Sequence, residues 1–496
     1  MSMDKDMIIS QLTSQIAELT STVTTQAETN ARLSDTIAEL QNTIAELNER
    51  IKELQEQLGQ NSSNSSKPPS SDSFGKESKG NRTPSGRKPG GQKGHKGSNM
   101  IVPHEPDAVE PHHPSKCMAC PHFAECIANG SVFSCSESRY VVDTVVKTIV
   151  TEHQLMTASC CPCGETDLRG TFPENVKAYV QYGDTVTALV GLMSTYGAVS
   201  VNRIRTIVNG MLDINLSTGV IPAMVARCAA KVASTIDKIR EILSGAGLGH
   251  FDETGAYVAG GLMWVHNSSN AEYTYQTVSE KRGHKGMDEN GVLPSFGGIA
   301  MHDCWSSYWH YDGIDHAVCC AHLLRELTGI EENYPDHTWA TEFKRLLLYE
   351  KKAKDKAISK GRDKLSYYYL HRFDTEYDRI MEIAEAECPP PPSPMKKRGR
   401  KKKGKERSLI ERLIVLKASV CMFAYNFEVP FDNNQAERDV RNVKTKVKVA
   451  GCFRSVKGTQ DYLSVMSYLS TGRKHGISVF DALTAAFAGN PEIVLQ

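Results

Sequence analysis

The sequence predicts a multidomain α+β protein, with an N-terminal parallel coiled coil, a zinc-binding module, a helical region and an α/β core interrupted by further helices. Three observations support this prediction: an apolar heptad repeat near the start, two pairs of closely spaced cysteines, and a run of strands flanked by helices. At 496 residues the chain is long enough for about three folding units. Each unit then has enough residues to bury a core of its own.

The charge of the whole chain does not indicate a partner, because its 58 Lys and Arg residues balance its 58 Asp and Glu residues. No apolar run approaches the roughly 18 residues that span a bilayer, and the first residues carry acids rather than a basic leader. These features predict a cytoplasmic, nucleoid-associated protein with no membrane partner. Half of the 14 cysteines lie between Cys117 and Cys163, which favours a metal site over a disulfide framework.

The first segment, residues 1–59, carries side chains at heptad spacing from Ile9 to Leu58. Its a positions are mostly Ile or Val and its d positions mostly Leu, a combination that favours two parallel strands. Asn30 occupies an a position, where a polar residue fixes register and oligomer state. The alternative is one amphipathic helix packed on the protein's own core, but an unbroken 3.5-residue period indicates supercoiling. We therefore predict a homodimer through this coiled coil.

Residues 60–104 form a basic linker rich in Ser, Pro and Gly, which is predicted to be disordered because it cannot bury a core. Arg87, Lys88 and Lys93 lie among its glycines and prolines, as in arms that follow a phosphate backbone or enter a minor groove. These three residues are candidate DNA contacts. A soluble spacer with incidental charge is an equally good interpretation.

Residues 105–170 contain two Cys-x2-Cys pairs, Cys117 with Cys120 and Cys160 with Cys163. Four thiolates satisfy the tetrahedral coordination of a structural Zn²⁺, so the pairs predict a zinc-binding module. Buried free thiols are the alternative. Three further cysteines compete as ligands: Cys126, Cys135 and Cys161.

Residues 171–245 are predicted to form several helices separated by glycines. Ser200 and Ser217 are the predicted N-caps, because each precedes an apolar run at helical spacing. The pattern fits a helix-turn-helix-like DNA-binding region, although many short helical clusters are structural bundles. Both interpretations stay open at this point.

The last segment, residues 246–496, begins with strands. Four are predicted, at 250–258, 262–266, 273–278 and 298–303. Three neighbouring strands, a helix and a fourth strand follow the ribonuclease-H-like order. A helical insertion at about residues 322–387 and a basic loop at 389–407 are predicted to interrupt this core.

Two aspartates are predicted to converge at one edge of the sheet. Asp252 lies within the first of these strands, and Asp303 ends the fourth. Such a pair suits Mg²⁺, which prefers hard oxygen ligands. Alternation along the strand directs Glu253 to the opposite face from Asp252.

A third acid comes from the segment PFDNNQAERDVRNVKTKVK. Asp432 or Asn433 is the predicted cap of a helix, and Glu437 lies beside its apolar stripe. The stripe consists of Ala436, Val440, Val443 and Val447. A surface ion pair between Glu437 and Arg441 is the alternative, but one acid at the head of a row of cations is what a phosphodiester site needs. The candidate phosphate contacts are Arg438, Arg441 and Lys444.

Together these motifs resemble the insertion sequence 66 family of DDE transposases, nearly from end to end. The matching motifs are the heptads, the arms NSSNSSKPPSSD and GGQKGHKG, the paired cysteines, FDETG, HDCWSSY, CAHLLREL, DNNQAERDVR and GCFRSVKGTQDYLSVMSYLSTGRKHG. The chain departs from the family at the second acid, where it has Asp303, Cys304 and Trp305 in place of the usual D-G-Y.

The resemblance implies a ribonuclease-H-like catalytic domain whose triad, Asp252, Asp303 and Glu437, holds Mg²⁺ or Mn²⁺. It implies a transposase that cleaves the terminal inverted repeats of its element and joins the freed 3′ ends to target DNA by two-metal phosphoryl transfer. A need for helper proteins and an assembly larger than a dimer in the synaptic complex are left open. The alternative is a catalytically inactive, zinc-containing DNA-binding regulator or architectural protein.

Overall fold

The structure is a computed structural model, and it describes residues 3–61, 63–65, 102–130, 132–159, 162, 167–390 and 404–496. Helices and one mixed five-stranded sheet make up the described chain, which confirms the predicted α+β class. Helices and strands are numbered here in chain order.

The N-terminal segment is one long helix, α1 (Met3–Gly59). Its apolar heptad side chains are exposed, from 44% at Leu54 to 87% at Leu58. Near its end, Glu56 accepts a hydrogen bond from Tyr334 Oη at 2.8 Å, so the helix contacts the rest of the chain there. Nothing else in the described part of the chain covers the apolar stripe, and such a stripe marks an interaction surface.

Regular structure is sparse in the described residues between 102 and 183. It consists of α2 (Ser115–Met118), α3 (Phe123–Ala128) and the antiparallel pair of β1 (Thr157–Ala158) and β2 (Leu168–Arg169).

Three helices follow: α4 (Asp184–Ser194), α5 (Val201–Leu212) and α6 (Val220–Ser244). They pack on a shared apolar cluster that consists of Val190, Ile204, Val208, Leu216, Ile221 and Met224. Ser200 is the N-cap of α5, as predicted. The prediction for Ser217 is wrong, because a turn intervenes and Gly219 precedes α6.

Five strands form the main sheet: β3 (Leu248–Val258), β4 (Gly261–Ser269), β5 (Thr274–Ser279), β6 (Ile299–His302) and β7 (Asp315–Val318). Their order across the sheet is β5-β4-β3-β6-β7. The first three are antiparallel, whereas β6 is parallel to β3 and β7 is parallel to β6. A short helix, α7 (His284–Asn290), precedes β6. The first, second, third and fourth strands lie close to their predicted positions, and the fifth was not predicted.

The segment predicted to be a helical insertion contains α8 (Cys320–Asn333), α9 (Trp339–Ile358) and α10 (Tyr367–Glu387). After the basic run come α11 (Lys405–Val415) and α12 (Lys417–Tyr425). Helix α11 therefore begins before residue 407, the predicted end of the basic loop. Its first turn is held in place because the buried Glu406 carboxylate accepts a hydrogen bond from Trp339 Nε1 at 2.8 Å.

Three helices complete the fold: α13 (Asn434–Ala450), α14 (Val456–Lys474) and α15 (Val479–Phe487). Helix α13 packs on β3 and β4, and α14 packs on β5 and α6. The predicted apolar stripe of α13 faces inward, with Ala436 and Val443 fully buried. The third predicted acid is thus carried by a helix that lies directly on the sheet.

A buried ion pair joins α13 to α14. Asp439 Oδ2 lies 3.2 Å from Lys474 Nζ, and the two side chains are only 10% and 12% exposed. Thr274 and Gln435 donate hydrogen bonds to the same oxygen at 3.2 and 3.1 Å. Burial lowers the pKa of Lys474, and the charge of Asp439 opposes this shift. Asp439 is therefore a structural acid that holds α13 to α14.

We expect Asp439→Ala to lower the free energy of unfolding by about 3 kcal/mol, because it leaves the Lys474 charge buried without a partner. Glu376→Ala is the control, since Glu376 and Arg379 form a pair whose side chains are 43% and 46% exposed. Such a pair contributes at most about 1 kcal/mol. Urea unfolding of both variants measures the difference, and equal losses would contradict the structural role of Asp439.

Candidate active site

The parallel pairing of β3 with β6 sets the first two predicted acids side by side. His250 pairs with Met301 in this ladder. The same register, continued by two residues, sets Asp252 beside Asp303. Asp303 is the first residue after β6 rather than its last, and both aspartates are half-buried.

The two aspartates have raised pKa values. Burial raises the pKa of Asp252 well above its usual value, and the charges of Glu253, Asp303 and Glu437 raise it further. Burial also raises the pKa of Asp303, whereas a hydrogen bond from the Trp305 N–H, at 3.0 Å, opposes the shift. A bound divalent cation stabilises the charged form of acids whose pKa is raised. The clustered carboxylate oxygens fit Mg²⁺.

The turn after Asp303 contains a strained residue. Cys304 has φ of 71°, in the left-handed region where a residue with a side chain is strained and glycine is not. Its thiol is buried among apolar side chains, and the residue is 7% exposed. The family motif that this segment resembles has glycine here, so the backbone keeps a glycine-like turn although the side chain differs.

The start of α13 is tied to β3 and α8 through Asn433. Its Nδ2 donates a hydrogen bond to the carbonyl of Phe251 at 2.8 Å, and its Oδ1 accepts one from His250 Nδ1 at 2.8 Å. Its backbone N–H donates to Cys319 Sγ at 3.1 Å. Asn433 occupies the N-cap position, but its side chain does not cap the helix. The carboxylate of Asp432 instead accepts a backbone N–H of the first turn at 3.2 Å.

Glu437 lies in the first turn of α13 and faces α8. Its Oε1 is 3.2 Å from Arg325 Nη2 and 3.7 Å from His322 Nε2. Cys319, His322 and Arg325 follow one another at three-residue spacing, which sets them on one face of α8. No chemical role was predicted for the motif CAHLLREL, which contains His322 and Arg325 and directly follows Cys319, although this spacing could have indicated one.

Three of these side chains form a tight group. Among the residues that the structure describes, Cys319, His322 and Glu437 each offer a ligand atom within 4.8 Å of the others. Burial raises the pKa of the Cys319 thiol to about 12. Burial, and then the charge of Arg325, lower the pKa of His322 to about 3, so the imidazole is neutral.

Glu253 lies next to Asp252 in the chain, yet its side chain has a different environment. It is 1% exposed, and it accepts hydrogen bonds from Arg282 Nε at 2.9 Å and from Tyr308 Oη at 2.8 Å. The Arg282 guanidinium also lies 4.1 Å from the ring centre of Trp305. Burial is the main reason why the pKa of Glu253 is raised to about 7. Glu253 thus braces the turn that carries the second acid.

The predicted row of cations lies beside the acids. Arg438, Arg441 and Lys444 are exposed on α13. The charge of Lys444 lowers the pKa of Asp252, so this lysine acts electrostatically on the site. The row is therefore available to the phosphates of a bound nucleic acid.

The other predicted site residues precede residue 170, either in described segments with little regular structure or outside the described ranges. Cys117 is partly buried and Cys120 is exposed. The predicted residues outside the described ranges are Arg87, Lys88, Lys93, Cys160 and Cys163. The zinc module and the basic arm accordingly stay predictions.

A family model described as Transposase IS66 family matches residues 180–461, which is more than half of the chain. The chain belongs to this family. Membership indicates a nucleic-acid-processing enzyme of the transposase class, and it implies DNA binding and dependence on a divalent metal. The matched residues of this IS66-family transposase include all three candidate acids.

A model described as a family of unknown function (DUF6444) matches residues 7–100, which cover most of α1 and of the predicted basic linker. No curated protein matches the sequence. Within the described residues of the transposase, no helix is both long enough and apolar enough to cross a membrane.

The strain at Cys304 is open to a direct test. Cys304→Ala and Cys304→Gly both remove the thiol, but only glycine adopts φ of 71° without strain. We expect the Gly variant to be more stable than the Ala variant by about 1 kcal/mol. Chemical unfolding of the two variants measures this difference, and a Gly variant no more stable than the Ala variant would show that the turn is not strained.

Proposed function

We propose that this transposase cleaves DNA at the terminal inverted repeats of its insertion sequence and joins the freed 3′ ends to target DNA. Asp252, Asp303 and Glu437 are the proposed catalytic acids. The observation that carries the proposal is the parallel register of β3 and β6, whose continuation sets Asp252 beside Asp303. Glu437 is close enough that its charge raises the pKa of Asp252. The strand order β5-β4-β3-β6-β7, with β3 parallel to β6, supports a ribonuclease-H-like catalytic core.

The three carboxylates are the proposed ligands of Mg²⁺ or Mn²⁺. When bound, the metal supplies Lewis-acid activation of the attacking oxygen and neutralises charge at the scissile phosphate. The carboxylates come from three separate segments, β3, the turn after β6 and α13. A site divided in this way depends on the intact fold, so local sequence alone does not assemble it.

The chain's own side chains supply binding and orientation. Arg438, Arg441 and Lys444 contact phosphates on either side of the scissile bond, which fixes the DNA without reading its sequence. The nearby thiols are poor nucleophiles, because burial raises the pKa of Cys304 to about 11 and that of Cys319 to about 12. We therefore propose direct in-line displacement, with water as the nucleophile in cleavage and the 3′-hydroxyl in joining.

The remaining modules have supporting roles in this proposal. The exposed heptad stripe of α1 pairs with a second copy of the chain in a parallel homodimer. A structural Zn²⁺ is held by four thiolates in the cysteine-rich module. Its ligands are Cys117, Cys120, Cys160 and Cys163. Helices α4 to α6 and the basic arm with Arg87, Lys88 and Lys93 bind the element ends.

Strand cleavage separates this function from its alternative, a DNA-binding regulator without activity. The purified chain is incubated with a supercoiled plasmid that carries the inverted repeats flanking its gene. Nicking that appears when Mg²⁺ or Mn²⁺ is added, and maps to the repeat ends, supports the transposase. Binding to the repeats without metal-dependent nicking supports the regulator.

Each acid of the triad is expected to be essential for cleavage. Asp252→Asn, Asp303→Asn and Glu437→Gln keep side-chain size but remove the charge that holds a metal. Each should lower the nicking rate by at least on the order of a hundredfold, because such residues act as a unit. Binding to the element ends, followed by gel shift in chelator, should change little.

The matched control for the triad is Asp315→Asn. Asp315 is exposed at the start of β7, and it pairs with Ile299, at the end of β6 away from Asp303. We expect this variant to cleave like the parent. A Glu437→Gln variant with parental activity would move the third ligand to another residue.

The coiled coil is expected to be the main dimer contact. Deletion of residues 1–58 should give a monomer at low micromolar concentration, because it removes the exposed heptad stripe. Asn30→Leu should raise the stability of the coiled coil but permit higher oligomers, since an Asn amide at an a position between the helices restricts how many helices associate. Sedimentation measures the oligomeric state of both variants, and a truncated chain that remains dimeric would contradict this role of α1.

A further inference from the structure

We propose that Cys319, His322 and Glu437 form a second metal site, which takes a thiophilic divalent cation of the Zn²⁺ class. The three residues offer ligand atoms within 4.8 Å of one another. This site differs in chemistry from the oxygen-only pair of Asp252 and Asp303. The inference deepens the proposed function and rests on it in one respect, since Glu437 belongs to both sites.

The backbone holds the three ligands in place. Cys319 is the residue before α8, His322 follows in the first turn of that helix, and Glu437 lies in the first turn of α13. Asn433 locks the two helix starts together through the hydrogen bond from its backbone N–H to Cys319 Sγ at 3.1 Å. Burial raises the pKa of the Cys319 thiol, and this backbone N–H opposes the shift in favour of the thiolate, which is the form that binds metal.

One ring nitrogen of His322, Nδ1, is buried and has no hydrogen-bond partner among the described residues. Its Nε2 lies 3.7 Å from Glu437 Oε1, which is too long for a hydrogen bond. Buried polar atoms without partners are rare because they are costly, and a cation coordinated by Nδ1 would remove that cost.

The donor set selects the metal. Thiolate and imidazole ligands favour Zn²⁺, whereas Mg²⁺ prefers oxygen alone. Three protein ligands leave one coordination position open, for water or for a phosphate oxygen of DNA. Binding releases the Cys319 thiol proton to solvent. The Arg325 guanidinium, 3.2 Å from Glu437, competes with the cation for the carboxylate.

Cobalt is a spectroscopic probe for this site, because a thiolate bound to Co²⁺ absorbs in the near ultraviolet. The full chain is stripped of metal with a chelator under reducing conditions and titrated with Co²⁺. Since the cysteine-rich module also contributes signal, variants are compared with the parent. Cys319→Ser should lose the absorption of one bound ion. Cys320→Ser is the matched control: Cys320 is equally buried, but its thiol donates to the carbonyls of Val318 and Val420.

Two further variants keep the test decisive if Cys319→Ser does not fold. His322→Gln should weaken Co²⁺ binding at least about tenfold, because even indirect supporting residues of metal sites have effects of this size. Arg325→Gln should strengthen binding, since it removes the competing cation. Identical titrations of both variants and the parent would overturn the proposal. So would an unchanged signal in folded Cys319→Ser, or an equal loss in Cys320→Ser.

Failure of the proposed function would look different. Asp252→Asn should stop plasmid nicking while leaving the Co²⁺ titration as in the parent. A parent protein that binds Co²⁺ as described but does not nick DNA would refute the transposase activity alone. A parent that nicks DNA but shows no Cys319-dependent signal would refute this metal site alone.

Discussion

Asn433 joins the start of α13, which carries the third candidate acid, to β3 and to the start of α8. It donates to the backbone of β3 and accepts from His250, while its backbone N–H reaches the thiol of Cys319 at the start of α8. The residue is 1% exposed, so loss of these hydrogen bonds would leave several polar groups buried without partners. Glu437 lies one turn further along α13, and its position follows from this connection.

The same region shows how a folded chain tolerates acids that repel one another. Burial and the charges of the neighbouring acids raise the pKa of Asp252, and no cation forms a close ion pair with it in the described residues. By contrast, Glu253 is paired with Arg282, and Asp439 with Lys474. The two structural acids are therefore neutralised by permanent partners. Of the candidate catalytic acids, Glu437 is paired with Arg325, whereas Asp252 has no such partner in the described residues. Strain at Cys304 adds to the free energy stored here, as is common at functional sites.

The elements whose residues repeat at a regular spacing were predicted correctly from the sequence. The strands that contain Asp252 and precede Asp303 were predicted from alternation, and the buried stripe of α13 from helical spacing. Strand β7 was missed, because four residues carry little periodic signal. The partners of Glu253 and Asp439 come from distant segments, so neither the alternation along a strand nor the spacing along a helix could predict them. The group around Glu437 also needed the tertiary pairing of α8 with α13.

The central claim is that Asp252, Asp303 and Glu437 hold divalent metal where DNA is cut. Crystals of the protein bound to an element end, grown with Mn²⁺ and measured at the manganese absorption edge, test it most directly. The structure predicts anomalous peaks within coordination distance of Asp252 and Asp303, with Glu437 as a further ligand. Peaks elsewhere, with these three carboxylates free of metal in crystals whose DNA is cleaved, would contradict it.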